Sequence, residues 1–214
     1  MEFVRGYRYV LKCDIAKFYP SIDHDVLYEI VQRKIKCPDT LRLLRDIIYS
    51  ASGGKNAPIG NYTSQWFCNL YLNELDQLVK HHFKLKGYLR YCDDFCLFHD
   101  DKKVLRELAA ELRLFLADRL KLTFSKCEVF AVSHGVDFLG YRHFRNYILV
   151  RKSTASRVKR RLAKLPGLLA AGEITEEQYR SSIASTRGWL KWANTHNLSV
   201  ALELDRLTET RDAA

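Results

Sequence analysis

Tyr88-Leu89-Arg90-Tyr91-Cys92-Asp93-Asp94-Phe95-Cys96-Leu97-Phe98 places two adjacent carboxylates between two short apolar runs. The pattern predicts a hairpin with both carboxylates at its tip. Adjacent carboxylates repel, and one gains a proton unless cations neutralise the pair. Mg²⁺ is a hard ion that takes carboxylate and phosphate oxygens. The tip therefore has the chemistry of half a two-metal phosphoryl-transfer site. Aspartate is also a common turn former, so these residues alone leave a solvated turn open.

Upstream, residues 8–15 read as a strand ending near Asp14, with Phe18-Tyr19-Pro20 directly after. Pro20 should end the extended run, and Ser21 or Asp23 should cap a helix carrying Val26, Leu27, Ile30, Val31 and Ile35. Pro38 or Asp39 opens another helix, and residues 52–58 form a loop rich in glycine. The longest helical pattern covers 63–83, with Trp66, Leu70, Leu75, Leu78 and Val79 as its apolar positions and Thr63 or Ser64 as its cap. Downstream of the hairpin, residues 101–120 are amphipathic. Short strands are expected near 121–124, 127–132, 136–142 and 146–150. The order β-α-β-β-α-β predicts an α+β fold, an antiparallel sheet with helices on one face.

In such a sheet the first strand and the hairpin are central neighbours. Asp14, Asp93 and Asp94 then converge, and three unpaired carboxylates would be costly without cations. Two Mg²⁺ ions about 4 Å apart would remove that cost. Gly60, Asn61, Ser64 and Gln65 lie just before the long helix, where a glycine lets backbone approach a ligand and a helix N-terminus attracts phosphate.

The chain has 214 residues and a net charge of +10, which suits a polyanionic partner. Residues 151–164 hold seven basic side chains and no acid. They suit a phosphate backbone or a solvated helix face. Thr175-Glu-Glu-Gln178 reads as a capping box, and Trp189 and Trp192 as core of the C-terminal helices. The six cysteines are scattered without zinc spacing and suit a reduced, cytoplasmic setting. No run of roughly 18 apolar residues exists to cross a membrane, and the first residues lack a secretory apolar region. The expected division is residues 1–150, then a basic helical segment 151–205, then a frayed tail 206–214.

Taken together, Leu11-Lys-Cys-Asp-Ile-Ala-Lys-Phe-Tyr-Pro-Ser-Ile-Asp23, Tyr91-Cys-Asp-Asp94, Leu122-Thr-Phe-Ser-Lys126 and Phe138-Leu-Gly-Tyr141 resemble ordered motifs of reverse transcriptases. The resemblance covers roughly residues 8–200. It implies a right-hand polymerase palm with partial fingers over 1–150 and a helical thumb over 151–205. Asp14 and Asp93 would bind Mg²⁺ (Mn²⁺ as substitute) together with the carbonyl of Ile15, and Asp94 would support the primer-side ion. The amides of Lys17 and Phe18 would face the triphosphate, and Tyr19 would exclude a 2′-hydroxyl. Lys126 would protonate the leaving pyrophosphate. Tyr91, Phe138, Leu139, Gly140 and Tyr141 would hold primer and template, with Arg157, Arg160 and Arg161 on phosphates.

Ile59-Gly60-Asn-Tyr-Thr-Ser64-Gln65 stands where related enzymes carry Gln-Gly-x-x-x-Ser-Pro. That variant is similar to diversity-generating retroelement enzymes, and would put Ile59, Gly60 and Gln65 in the nucleotide pocket. The implied partners are an RNA template, a DNA primer, deoxynucleoside triphosphates and a pentameric accessory variability protein, in a prokaryotic or phage setting. Only about seven residues precede the first strand, so most of the family's fingers region is expected to be missing. A retron, group II intron or phage-defence enzyme stays open. So does a non-catalytic remnant that binds RNA or a partner.

Overall fold

The computed structural model describes residues 2–57, 62–202 and 204. The described chain forms two compact units. One comprises Gly6–Val132, and the other comprises residues up to Arg5 together with those from Ser133 onward.

A short helix α1 (Glu2–Gly6) opens the chain and β1 (Tyr9–Ile15) follows. A four-residue helix α2 (Phe18–Ser21) contains Pro20. Pro20 therefore does not end an extended run. Its fixed φ is accommodated in a helical turn that starts at Lys17, whose own φ is +44°. Helix α3 (His24–Lys34) is capped by Asp23, whose carboxylate accepts from the Val26 N–H at 3.2 Å, and Ile35 falls just past its end. Helix α4 (Pro38–Ile48) begins on Pro38, where a missing N–H costs nothing. The glycine-rich loop is pinned: Asn56 N–H donates to Ile22 O, and Ala57 N–H to Tyr19 O, both at 2.9 Å.

Helix α5 (Tyr62–Gln77) continues as a π-helical turn over Leu78–His82. Thr63 and Ser64 lie inside its first turn rather than capping it. Its buried stripe is Ser64, Phe67, Cys68, Tyr71, Leu72 and Leu75, while Trp66 is 69% exposed. The buried stripe thus runs through smaller side chains beside Trp66. Tyr71 is fully buried with its hydroxyl satisfied. It donates to Leu120 O at 2.7 Å and accepts from Asp23 N–H at 3.4 Å. One phenol thereby ties α5 to the cap of α3 and to the end of the next helix.

The hairpin β2 (Tyr88–Tyr91) and β3 (Asp94–His99) is followed by α6 (Lys102–Leu120), capped by Asp101. A single strand, β4 (Phe124–Ala131), then replaces the two expected strands. Leu122 is buried without strand pairing, which is why 121–124 read as a strand of its own. The antiparallel sheet runs β2-β3-β1-β4, so β1 and β3 are central. Alternation along β1 splits its side chains. Leu11, Cys13 and Ile15 join Phe95 and Leu97 in a core with α5 and α6 residues such as Leu72, Leu75, Leu112 and Leu116. Lys12 and Asp14 take the other face.

In the second unit, β5 (Val136–Phe138), β6 (Tyr141–His143) and β7 (Ile148–Val150) form a small antiparallel sheet. The expected strand 136–142 is broken at Leu139-Gly140. Both residues have positive φ, as a two-residue hairpin turn needs. Helices α7 (Lys152–Ala170), α8 (Glu176–Leu190) and α9 (His196–Ala201) follow. The capping box of α8 has both reciprocal bonds, Thr175 N–H to Gln178 Oε1 at 2.9 Å and Gln178 N–H to Thr175 Oγ1 at 3.2 Å. Val158, Leu162, Leu165, Tyr179, Ile183 and Leu190 form a core of their own. Trp189 packs against it, whereas Trp192 is 68% exposed and is not core. No described helix is long and apolar enough to cross a membrane.

Candidate active site

The site is set by strand register. β1 pairs with β3 so that Asp14 stands directly opposite Asp94, and with β4 so that Asp14 stands opposite Lys126. Directly opposed residues share a face, so Asp14, Asp94 and Lys126 project together. Asp93 is in the hairpin turn and Asp94 is already in the strand, opposite Tyr91. The tip thus carries one carboxylate and the strand beside it the other. Cys92, the first central turn residue, has φ +52°, a conformation that favours glycine.

Like charges directly opposed are unfavourable, and the surroundings answer two of them. Lys12, on the same face two residues before Asp14, is buried and forms an ion pair with Asp94. Asp14 accepts a hydrogen bond from the Ser125 hydroxyl, which also reaches Asp14 O at 3.1 Å. Ser125 arrives there through a bulge. Asp14 pairs with Lys126 and Ile15 with Phe124, so Ser125 is the extra residue of β4. Bulges re-aim side chains in this way beside functional sites. Among the described residues Asp93 has no ion pair, and its carboxylate accepts from its own backbone N–H instead. Burial first, then repulsion from Asp14 and Asp94, pushes its carboxyl above the usual carboxylate range. Among the described residues no three His, Cys, Asp or Glu side chains converge as metal ligands. Asp94 is turned to Lys12 and Asp14 to Ser125.

Tyr19 borders the turn. It is half-buried and packs edge-on against Phe18, with ring centroids 5.7 Å apart. Burial first, then the neighbouring Cys68, Cys92 and Asp93, pushes its hydroxyl up, and the hydroxyl hydrogen-bonds Cys68 of α5. Phe18 and Ile15 are core side chains, leaving only their backbone groups for any ligand, while Lys17 is exposed. Lys126 is half-exposed and pairs with Glu128 at 3.2 Å. Gln65 and Tyr91 are exposed. Ile59 and Gly60 lie outside the described residues.

A second network holds the turn from behind. Arg90 grips Asp76 of α5 with two nitrogens, Nε at 2.8 Å and Nη2 at 2.5 Å. Tyr88 donates to the same carboxylate at 2.7 Å. Arg90 also donates to the carbonyl of Cys92 at 3.1 Å. Burial pushes Asp76 up, but the bonds from Arg90 and Tyr88 outweigh it and hold the carboxyl below its ordinary range. Lys12, Asp76, Arg90 and Ser125 were not singled out from sequence. Only Lys12 left a trace there, as a lysine inside an apolar strand.

In the other unit, Phe138 is buried, Leu139 is half-exposed at the hairpin turn, and Gly140 and Tyr141 complete it. Tyr141 stacks on Trp189 at 4.9 Å and donates to its carbonyl at 2.9 Å. Arg157 and Arg160 are exposed on α7. Arg161 instead donates to the buried Thr186 of α8.

The family model described as reverse transcriptase (RNA-dependent DNA polymerase) matches residues 2–143. The chain belongs to the reverse transcriptase family. This reverse transcriptase chain has no match among curated proteins by sequence. Its fold is similar to solved telomerases. Against apo telomerase from Candida tropicalis truncated from its C-terminal domain, the TM-score is 0.54 at 15% identity, over 67% of this chain and 35% of that one. Against telomerase from Candida albicans in complex with a TWJ fragment of telomeric RNA, it is 0.51 at 13% identity, over 73% and 35%. The apo Candida tropicalis telomerase gives 0.54 at 13% identity, over 74% and 35%. The chain thus spans about a third of the length of these telomerases, and at such identities the likeness concerns the reverse transcriptase fold alone.

Proposed function

We propose that this chain is the catalytic portion of an RNA-directed DNA polymerase, with a palm and partial fingers over residues 1–150 and a basic helical thumb over 151–205. The observation that carries the reading is the register that sets Asp14 against Asp94, with Asp93 in the adjoining turn, in a chain of this family.

The donor set fits divalent metal. Asp14 and Asp93 have no basic ion-pair partner among the described residues, and hard carboxylate oxygens suit Mg²⁺ or Mn²⁺. Asp14 and Asp93 would hold the ions, with the Ile15 carbonyl beside them and Asp94 in support. When bound, such ions activate a primer 3′-hydroxyl and neutralise the triphosphate.

The remaining steps belong to this chain's own groups. Lys17 and Phe18 offer backbone amides to the triphosphate. Tyr19, beside the turn, limits the space at the sugar. Lys126, paired with Glu128 at 3.2 Å, supplies a proton to the departing pyrophosphate. Phe138–Tyr141 would hold the primer, Tyr91 and Gln65 would face nucleic acid and nucleotide, and Arg157 and Arg160 would meet phosphates.

The finer reading is an error-prone enzyme of a diversity-generating retroelement, working with a pentameric accessory protein. Its support is the motif Ile59-Gly60-x-x-x-Ser64-Gln65. A near-repeat pair differing at adenines beside the gene would sustain it, and flanking retron or intron elements would replace it.

The activity test is primer extension on an RNA template with deoxynucleoside triphosphates and Mg²⁺. Asp14→Asn and Asp93→Asn should each lower extension by about 100-fold or more, or about 2.7 kcal/mol of barrier. Extension within about tenfold of wild type in both variants would remove these residues from the metal site.

A further inference from the structure

The sheet holds a second chemistry that polymerisation does not use. Cys13 of β1 and Cys127 of β4 are directly opposed, and their sulfurs are 3.8 Å apart. Cys13 is fully buried, while Cys127 is half-exposed on an edge strand. The Cys13 thiol donates its hydrogen bond to the Cys127 sulfur. The contact assigns two roles: an accessible sulfur poised to react, and a sheltered one behind it.

We infer that Cys13 and Cys127 are a peroxide-sensitive thiol pair that closes into a reversible disulfide between β1 and β4. Directly opposed strand residues have Cβ atoms about 4.5–5.5 Å apart, and a disulfide needs about 3.5–4.5 Å, so closure asks for a small approach. The sulfurs must close to about 2.0 Å. The Cys127 thiol is lowered, first by the hydrogen bond from Cys13 and then, against burial, by Arg113 of α6, while burial first and then Cys127 push the Cys13 thiol up, so the shared proton stays on Cys13. A thiolate is the form that attacks peroxide.

The chemistry balances in two steps. The Cys127 thiolate attacks one oxygen of hydrogen peroxide. The O–O bond breaks and hydroxide leaves, making Cys127 a sulfenic acid. The Cys13 sulfur then attacks the Cys127 sulfur, and the S–O bond breaks. The released hydroxide takes up the Cys13 proton, and water departs. The two sulfurs together give two electrons to the peroxide. A dithiol reverses the bond by exchange. The linkage would tie β1 to its edge strand one residue from Asp14. The inference concerns only the two thiols and does not depend on the polymerase reading.

The test is oxidation of the reduced, folded chain by a stoichiometric amount of hydrogen peroxide, followed by alkylation and peptide mapping by mass spectrometry. The expected result is a dominant Cys13–Cys127 linked peptide and a loss of about 2 Da from the intact mass, both reversed by dithiothreitol. In urea the preference for this pair should vanish. Cys13→Ser should instead accumulate a sulfenic acid at Cys127, trapped by dimedone. The inference is overturned if the exposed Cys37 oxidises while no Cys13–Cys127 peptide forms. It is equally overturned if other cysteine pairs link in comparable yield.

Discussion

Asp93 is the residue on which the site's electrostatics concentrate. Its carboxyl is raised by burial and by the charges of Asp14 and Asp94. A carboxyl raised in the folded state binds protons more readily there than in the unfolded chain. It therefore costs stability as pH rises through the interval between 3.8 and its raised value, and the cost is complete at neutral pH. Asp93→Asn should thus raise the melting temperature at pH 7 without metal, by about 1–2 °C for a partly exposed group in a chain this long. The gain should vanish near pH 3. Calorimetry at the two pH values decides it, and an equal shift at both would mean that packing rather than charge is responsible. Tyr19 makes a separate prediction. Its ring borders Asp93, so Tyr19→Ala should raise ribonucleotide incorporation, while Tyr19→Phe keeps the ring and should match wild type. Steady-state incorporation of paired ribo- and deoxynucleotides measures it, and unchanged discrimination in the Ala variant would place the sugar gate elsewhere.

At the scale of elements, the hairpin is held to α5 by Arg90 and Asp76, whose side chains are only 12% and 18% exposed. Breaking one partner of such a pair costs about 3 kcal/mol, because the other charge is left without its answer. Arg90→Gln should cost about that much by urea denaturation at pH 7. Asp76 is depressed in the folded state, so its contribution is present above 3.8 and is lost as pH falls through the lower folded value. The penalty of Arg90→Gln should therefore shrink in acid, and a penalty constant with pH would refute the charge argument. Tyr71 is the other tie. Tyr71→Phe leaves Leu120 O without its buried donor and should cost about 1–3 kcal/mol. A loss under about 0.5 kcal/mol would mean that water or a shifted helix end replaces the phenol.

For the molecule as a whole, the net charge of +10 is spent unevenly. On α7, Arg157, Arg160 and Lys164 are exposed along one stripe, beside the buried stripe of Val158, Leu162 and Leu165. Arg161 shares the basic stripe but is tied to Thr186. The two kinds of arginine should separate by experiment. Replacing Arg157 and Arg160 with Gln should weaken nucleic-acid binding for all sequences and flatten its salt slope by about 0.7–0.9 per lost contact. Arg161→Gln should mainly lower stability of the helical unit. An unchanged slope in the double variant would return the stripe to a solvated helix face.

Local chemistry fixed much of this chain from sequence. The hairpin carboxylates, the proline start of α4, the Asp23 cap and the Thr175–Gln178 box were legible because each depends on residues a few positions apart. The buried face of α5 was read less well. Trp66 looked apolar, but which helical stripe is buried depends on the sheet it meets. The rest of the site was decided only by long-range register. Lys12 meets Asp94 across 82 positions, and Ser125 meets Asp14 across 111, the latter through one bulged residue. No periodicity within a strand encodes such a pairing, because it exists only when two distant strands lie side by side. The sequence by itself therefore determined which carboxylates stand at the strand ends. The tertiary structure decided that Lys12 answers Asp94 and Ser125 answers Asp14, and that Arg90 holds the hairpin through Asp76 of α5.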